Sequence, residues 1–129
     1  MARYFTREEA EALLPEITVV LHKIQTTRRE ARSNQQELEL LRARLMSNGH
    51  NHNQIIELQK DLETQIEILR TLLEKLDEFG CELKDPDTGL IDFLNLRDGE
   101  EVYLCWLLGE DRIRFWHSLD TGFAGRQPL

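Results

Sequence analysis

The tripeptide Asp-Thr-Gly occurs twice in this chain of 129 residues, in KDPDTGL around Asp87 and in SLDTGF around Asp120. Two such tripeptides suggest an aspartic protease, whose facing carboxylates share one proton because like charges a few ångströms apart cannot both ionise. That chemistry needs each loop embedded in a largely β barrel, whereas more than half of this chain reads as helix. In the first copy Pro86 presets a turn and Gly89 permits positive φ, so Asp87 reads as part of a hairpin loop. The second copy follows a strand but has no barrel around it. No catalytic role is expected for Asp120.

Other residues carry more chemistry. Glu82, Asp92 and Cys105 fall in one expected cross-strand row, a half-site of carboxylate and thiolate donors suited to zinc or iron. Arg114 in the same expected row favours an ion pair instead. His117, placed beside Val102 and Asn95 at the end of an apolar strand face, is either a base or ligand or a structural hydrogen-bonding group. In GFAGRQPL the glycines let backbone approach closely, and Arg126 can fork onto a carboxylate or phosphate. The simpler reading of that segment is an ordered tail in which Phe123 covers the sheet and Arg126 pairs with an acid. His50 and His52 in GHNHN have the spacing of a metal-binding tip, but they read as a solvated turn. Asp92, His117, Arg126, Glu82 and Cys105 are therefore the candidate ligand or metal site. No catalytic residue is assigned and no cofactor is predicted; a divalent metal stays open.

The elements that must position these residues come in two textures. Thr6 followed by Glu9 is a capping box, so a helix starts there. Ala10, Leu14, Ile17, Leu21, Ile24, Ala31, Leu38 and Leu45 then recur at steps of three and four, broken at Arg28, Gln35 and Arg42. Pro15 is expected to kink this helix. Residues 47–53 are polar and contain glycine, which ends it. A second helix carries Ile55, Leu58, Leu62, Ile66, Leu69, Leu72, Leu73, Leu76 and Phe79 before Gly80 stops it. Pairing residues whose numbers sum to 100 folds the two into an antiparallel, coiled-coil-like hairpin, with Leu45 against Ile55, Leu38 against Leu62 and Gln35 against Gln65. Charge supports that pairing: Lys23, Arg28, Arg29, Arg32, Arg42 and Arg44 outnumber Glu30, Glu37 and Glu39 on the first helix, while the second is mostly acidic.

After Gly80 the apolar period changes to two. CELK, GLIDFLNL, EVYLCWLL and RIRFWH, separated by DPDTG, RDGE and GED, predict a four-stranded antiparallel meander. Two-residue turns at Asp98-Gly99 and Gly109-Glu110 would place Leu83, Ile91, Phe93, Leu104, Trp106, Ile113 and Phe115, with His117, on the face toward the helices. Leu90, Leu94, Tyr103, Leu107 and Trp116 would flank the polar row on the other face. The expected fold is thus α+β in a single domain of residues 1–129: a helical hairpin at 6–79, a β-meander at 80–117 and an ordered tail at 118–129. Cys81 and Cys105, on opposite faces in this register, are expected to be free.

The sheet and tail segments GCELKDPDTGLIDF, EVYLCWLLGEDRIRFWH and GFAGRQPL resemble those of a bacterial family known as domain of unknown function 2203. The resemblance runs from FTREEAEALLPEI to the last residue and rests on Cys105-Trp106, Gly109-Glu110, Trp116-His117 and the run from Gly122 to Arg126 in that order. It implies a shared fold and brings no assigned activity.

A net charge of -8 argues against an electrostatic grip on nucleic acid or anionic membrane, and no apolar run is long enough to span a bilayer. A cytoplasmic protein with neither kind of partner is expected. No nucleophile and base pair, phosphate loop or metal motif is visible, so the reading leans away from an enzyme. It favours a structural or interaction module that forms a homodimer, or meets another protein, through its hairpin. Leu41, Ile66, Arg28, Arg42 and Trp116 are the expected interface. The alternative is a small-ligand or metal-binding protein using the sheet and the C-terminal tail.

Overall fold

The computed structural model describes residues 3–48 and 52–129, without the side chains of residues 45–48. The expected turn at 47–53 lies partly outside the described residues, as do His50 and the Leu45–Ile55 pairing. The fold is α+β, with helices α1 (Arg7–Asn48) and α2 (His52–Phe79) forming the hairpin. Five strands follow: β1 (Glu82–Asp85), β2 (Leu90–Arg97), β3 (Glu100–Leu107), β4 (Phe115–Ser118) and β5 (Gln127–Pro128). They form one antiparallel sheet in chain order, so the tail adds a fifth strand to the expected four. The chain divides into two compact units, one of Met1–His22 with Glu74–Leu129, the other of Lys23–Leu73.

In the first unit the helix start is the expected reciprocal cap. Thr6 Oγ1 accepts the Glu9 N–H at 3.1 Å, and Glu9 Oε1 accepts the Thr6 N–H at 2.9 Å, which satisfies two donors that a helix N-terminus leaves orphaned. The same backbone hydrogen bond from Thr6 helps hold the Glu9 carboxyl below its usual range. The helix continues through Pro15. Ahead of it, the Phe5 N–H donates to the Leu94 carbonyl, and the Phe5 ring meets Phe93 edge-on at 5.2 Å. Ala10, Leu14, Ile17 and Leu21 are buried in this unit, as are Leu76, Ile91, Phe93, Leu104, Trp106 and Ile113. Gly80, with φ of 90°, ends α2.

Strands β2 and β3 join at Asp98-Gly99 in a two-residue turn, with φ of 53° and 82° and Arg97 opposite Glu100, as the sequence predicts. The β3–β4 connection departs from expectation. A two-residue turn at Gly109-Glu110 would set Cys105 opposite Arg114, whereas Cys105 pairs with Phe115, Leu104 with Trp116 and Tyr103 with His117. The Glu110 carboxylate takes the Leu107 N–H at 2.6 Å, and Glu11 takes the Ile113 N–H at 3.2 Å, with Ile113 drawn into the core. Both donors are thereby withdrawn from the ladder, so pairing resumes only at Phe115. A one-residue shift reverses the face of every following side chain. His117 therefore joins the face of Asp92 and Cys105, away from Val102 and Asn95, and Trp116 moves to the other face, under the Arg97 guanidinium at 4.6 Å. Arg114 leaves the polar row altogether and pairs with Asp111 at 3.1 Å.

In the second unit Leu38, Leu41 and Ile55 form a buried cluster, with Leu58 and Leu62 packed against it. Leu41, expected at an outward interface, is thus part of the hairpin's own seam, because it lies three residues from Leu38 on the same helix face. The glutamines do not pair as expected either. Gln65 accepts from Asn34 at 3.3 Å, while Gln35 is exposed and donates to Glu39 along its own helix at 3.4 Å. Arg28 is half-buried and already engaged within the protein, and Arg42 is exposed.

Truncation should separate the two former interface positions. Leu41→Ala, at 5% exposure, is expected to cost about 2–4 kcal/mol in urea unfolding, because it leaves a cavity. Ile66→Ala, at 54% exposure, should stay within about 0.5 kcal/mol.

A second outcome concerns pH. Burial pushes the Cys81 thiol up to about 11 from 9.0, and its Sγ lies 3.6 Å from the Leu76 carbonyl. The folded state therefore holds this proton more tightly than the unfolded chain, so the contribution is complete below pH 9 and disappears as the pH rises through 11. Urea midpoints measured from pH 8 to 11 should fall in that window, and Cys81→Ala should flatten the fall.

Candidate metal centre

The register of β4 brings three donor side chains together. Asp92 on β2, Cys105 on β3 and His117 on β4 are all buried, and one ligand atom from each lies within 4.8 Å of the other two. Asp92 and Cys105 are direct cross-strand neighbours, and His117 lies one pair along, opposite Tyr103. His117 Nε2 is 3.1 Å from both Asp92 carboxylate oxygens, and Nδ1 is 2.7 Å from the Ser118 carbonyl.

Those contacts pose a donor problem. A carbonyl oxygen only accepts, so the short Ser118 contact assigns the ring proton to Nδ1. In a neutral imidazole Nε2 then carries a lone pair, which faces two carboxylate oxygens that also only accept. The contact is met by a second proton on the ring, by a proton on the Asp92 carboxyl that donates to Nε2, or by a cation between Nε2 and the carboxylate. The Ser118 contact is also the outer hydrogen bond by which metal-bound histidines are oriented.

The third donor lies deeper. The Cys105 thiol is within hydrogen-bonding reach of Asp92 and Arg126. Burial, aided by the Asp92 charge, pushes it up to about 12 although Arg126 pulls the other way. It is therefore a protonated thiol at neutral pH. Arg126 donates through Nη2 to the Cys105 carbonyl at 3.2 Å and to Glu110 Oε1 at 2.7 Å, and its guanidinium stacks on Phe115 and Phe123 at 4.2 and 4.7 Å. Its Nε is buried without a hydrogen-bond partner. Arg126 thus pairs with an acid, as expected of the tail, and that acid also braces the β3–β4 connection.

Glu82 is not brought into the cluster. It lies opposite Asp92 in the ladder but is exposed, pairs with Lys84 at 3.1 Å and accepts from Tyr103. Burial pushes the Glu82 carboxyl up, yet these two hydrogen bonds bring it below its usual range, and the same bond lifts Tyr103 to about 12. His52 is exposed at the start of α2. Both Asp-Thr-Gly segments are turns. Asp85 Oδ1 accepts the Asp87 N–H at 3.0 Å in the first, and Thr121 N–H donates to the Ser118 carbonyl at 3.3 Å in the second.

A pocket of about 310 Å³ opens beside the cluster, lined by Asp92 and His117 with Lys84, Tyr103, Leu119 and Phe123 among its walls. Ser118, Glu110 and the 119–123 segment were absent from the sequence-based site. Glu110, directly after Gly109 at a strand end, and Gly122-Phe123 in the tail gave local signals.

One family model, described as an uncharacterised conserved protein (DUF2203), matches residues 3–129. The chain belongs to the DUF2203 family. The family resemblance of the sheet and tail therefore extends over nearly the whole chain, including the residues of the cluster, its Arg126 neighbour and both helices of the hairpin. No curated protein and no solved structure matches this DUF2203 chain.

Proposed function

We propose that this DUF2203 protein binds a divalent transition metal, zinc being the best match, through Asp92, Cys105 and His117. The observation that carries the reading is the His117 ring, whose two nitrogens both face oxygen acceptors. A cation between Nε2 and Asp92 removes that mismatch. Donors 3.1 Å apart, each about 2.0–2.1 Å from an ion, subtend about 100° at it, close to the tetrahedral angle that zinc takes. Imidazole, carboxylate and thiolate together suit zinc better than calcium or magnesium, which prefer oxygen alone. Arg126 supports thiolate formation at Cys105 without being a ligand. A cytoplasmic setting fits the two free buried cysteines, and no described helix is long and apolar enough to cross a membrane.

Equilibrium dialysis against Zn²⁺ followed by elemental analysis should find one ion per chain. Asp92→Asn and Cys105→Ala, with folding checked by circular dichroism, should each weaken binding at least about tenfold. Affinity should rise with pH near neutrality, because binding releases the thiol proton. A folded wild-type protein that holds no stoichiometric metal overturns the reading.

A second reading, self-association through the hairpin, rests on the second unit. There Leu40, Ile66, Ile68 and Leu73 are exposed apolar side chains, and Ile66 and Leu73, seven residues apart, share one stripe of α2. In this reading the hairpins of two copies form a four-helix arrangement, the basic stretch of one α1 meeting the acidic α2 of the other. Sedimentation at tens of micromolar should give a dimer, and Leu40→Glu with Ile66→Glu should give a folded monomer. A wild-type monomer at that concentration rules it out.

A further inference from the structure

The pocket beside the cluster bears on what the site does, given the metal reading above. Structural zinc sites are closed by four protein ligands, whereas sites that act on small molecules keep three and leave one position open. The cluster among the described residues has three donors. Asp92 and His117 line the pocket while Cys105 does not, so an ion held by the three would be covered on the thiol side and approached from the pocket side.

The remaining walls combine apolar side chains and one ammonium with Tyr103, Asp120, Thr121 and Gly122. Leu90, Leu119 and Phe123 are apolar, and Leu119 and Phe123 are 46% and 48% exposed, a high exposure for large apolar side chains at the rim of one cavity. Lys84 supplies an ammonium, held near the Tyr103 ring at 5.1 Å and paired with Glu82. That pair is solvent-exposed and worth little, so the ammonium can turn to another carboxylate at small cost. A volume of about 310 Å³ is at the lower end for small-molecule sites, so the occupant is small.

We propose that the open coordination position takes the carboxylate of a small monocarboxylic acid whose apolar body lies against Leu90, Leu119 and Phe123. One carboxylate oxygen meets the ion and the other meets Lys84. No covalent step is involved. Specificity comes from the apolar walls, since any carboxylate satisfies the ion and Lys84, and from Asp120, whose charge in the same wall disfavours a second acidic group on the ligand.

Cobalt substitution tests this directly, because Co²⁺ occupies zinc sites and reports its ligands by absorption. The wild-type protein loaded with one Co²⁺ should show a thiolate-to-cobalt charge-transfer band, and its visible d–d bands should shift saturably on titration with benzoate. Acetate should produce the same shift at least about tenfold more weakly, because it buries no ring. Leu119→Ala should narrow that preference, and Lys84→Met should weaken both acids alike. Absence of the charge-transfer band overturns the metal reading itself. A charge-transfer band with d–d bands that benzoate does not move leaves the metal reading intact and overturns this inference, as does equal affinity for acetate and benzoate.

Discussion

The register of β4 on β3 is the constraint on which the rest of the site depends. Side chains alternate across a strand, so one residue of slip exchanges everything that the two faces present. In the observed register His117 stands opposite Tyr103 and its ring reaches Asp92. In the neighbouring register it would face the helix side, and Asp92 would be a buried carboxylate without the imidazole. Glu110 holds this choice in place. Its carboxylate accepts from the Leu107 N–H and from Arg126, and its carbonyl accepts the Trp106 indole N–H at 3.0 Å. One acid therefore ties the end of β3, the connection and the C-terminal tail together.

A polar cluster this deep is costly unless its groups satisfy one another. Asp92 and His117 are each 2% exposed, and Cys105 is fully buried. Most of the cost is met by local partners: Ser118 for one ring nitrogen, Asp92 for the thiol, and Cys105 and Glu110 for Arg126. A neutral ring cannot donate both to the Ser118 carbonyl and to an ionised Asp92. Cys81, by contrast, lies buried outside this cluster with its Sγ 3.6 Å from the Leu76 carbonyl.

The hairpin unit shows a different economy. Its buried cluster is small, and apolar side chains remain exposed along both helices. The amide contact between Asn34 and Gln65 sits at the seam where the heptad-like pattern is interrupted. A polar contact at such a position favours one register of the helices over its neighbours.

Much of the architecture was legible in residue order alone. The capping box at Thr6 and Glu9, the stop at Gly80, the Asp98-Gly99 turn and the strand row of Asp92 with Cys105 all follow from local chemistry, because each depends on residues a few positions apart or on a turn of known length. The α+β class, the free cysteines and the turn role of the first Asp-Thr-Gly segment were readable for the same reason. What the chain order could not decide were contacts made by residues distant in sequence. Leu41 joins the seam because Ile55 comes round to meet it, and Gln65 takes Asn34 in place of Gln35. The length of the β3–β4 connection depends on Glu11, about a hundred positions earlier, taking the Ile113 N–H. That long-range hydrogen bond and the grip of Glu110 accompany the register that sets which face His117 occupies. The sequence by itself determined which donors the sheet contains; tertiary structure decided which of them meet, because strand register is settled by where unpaired backbone donors find acceptors across the fold.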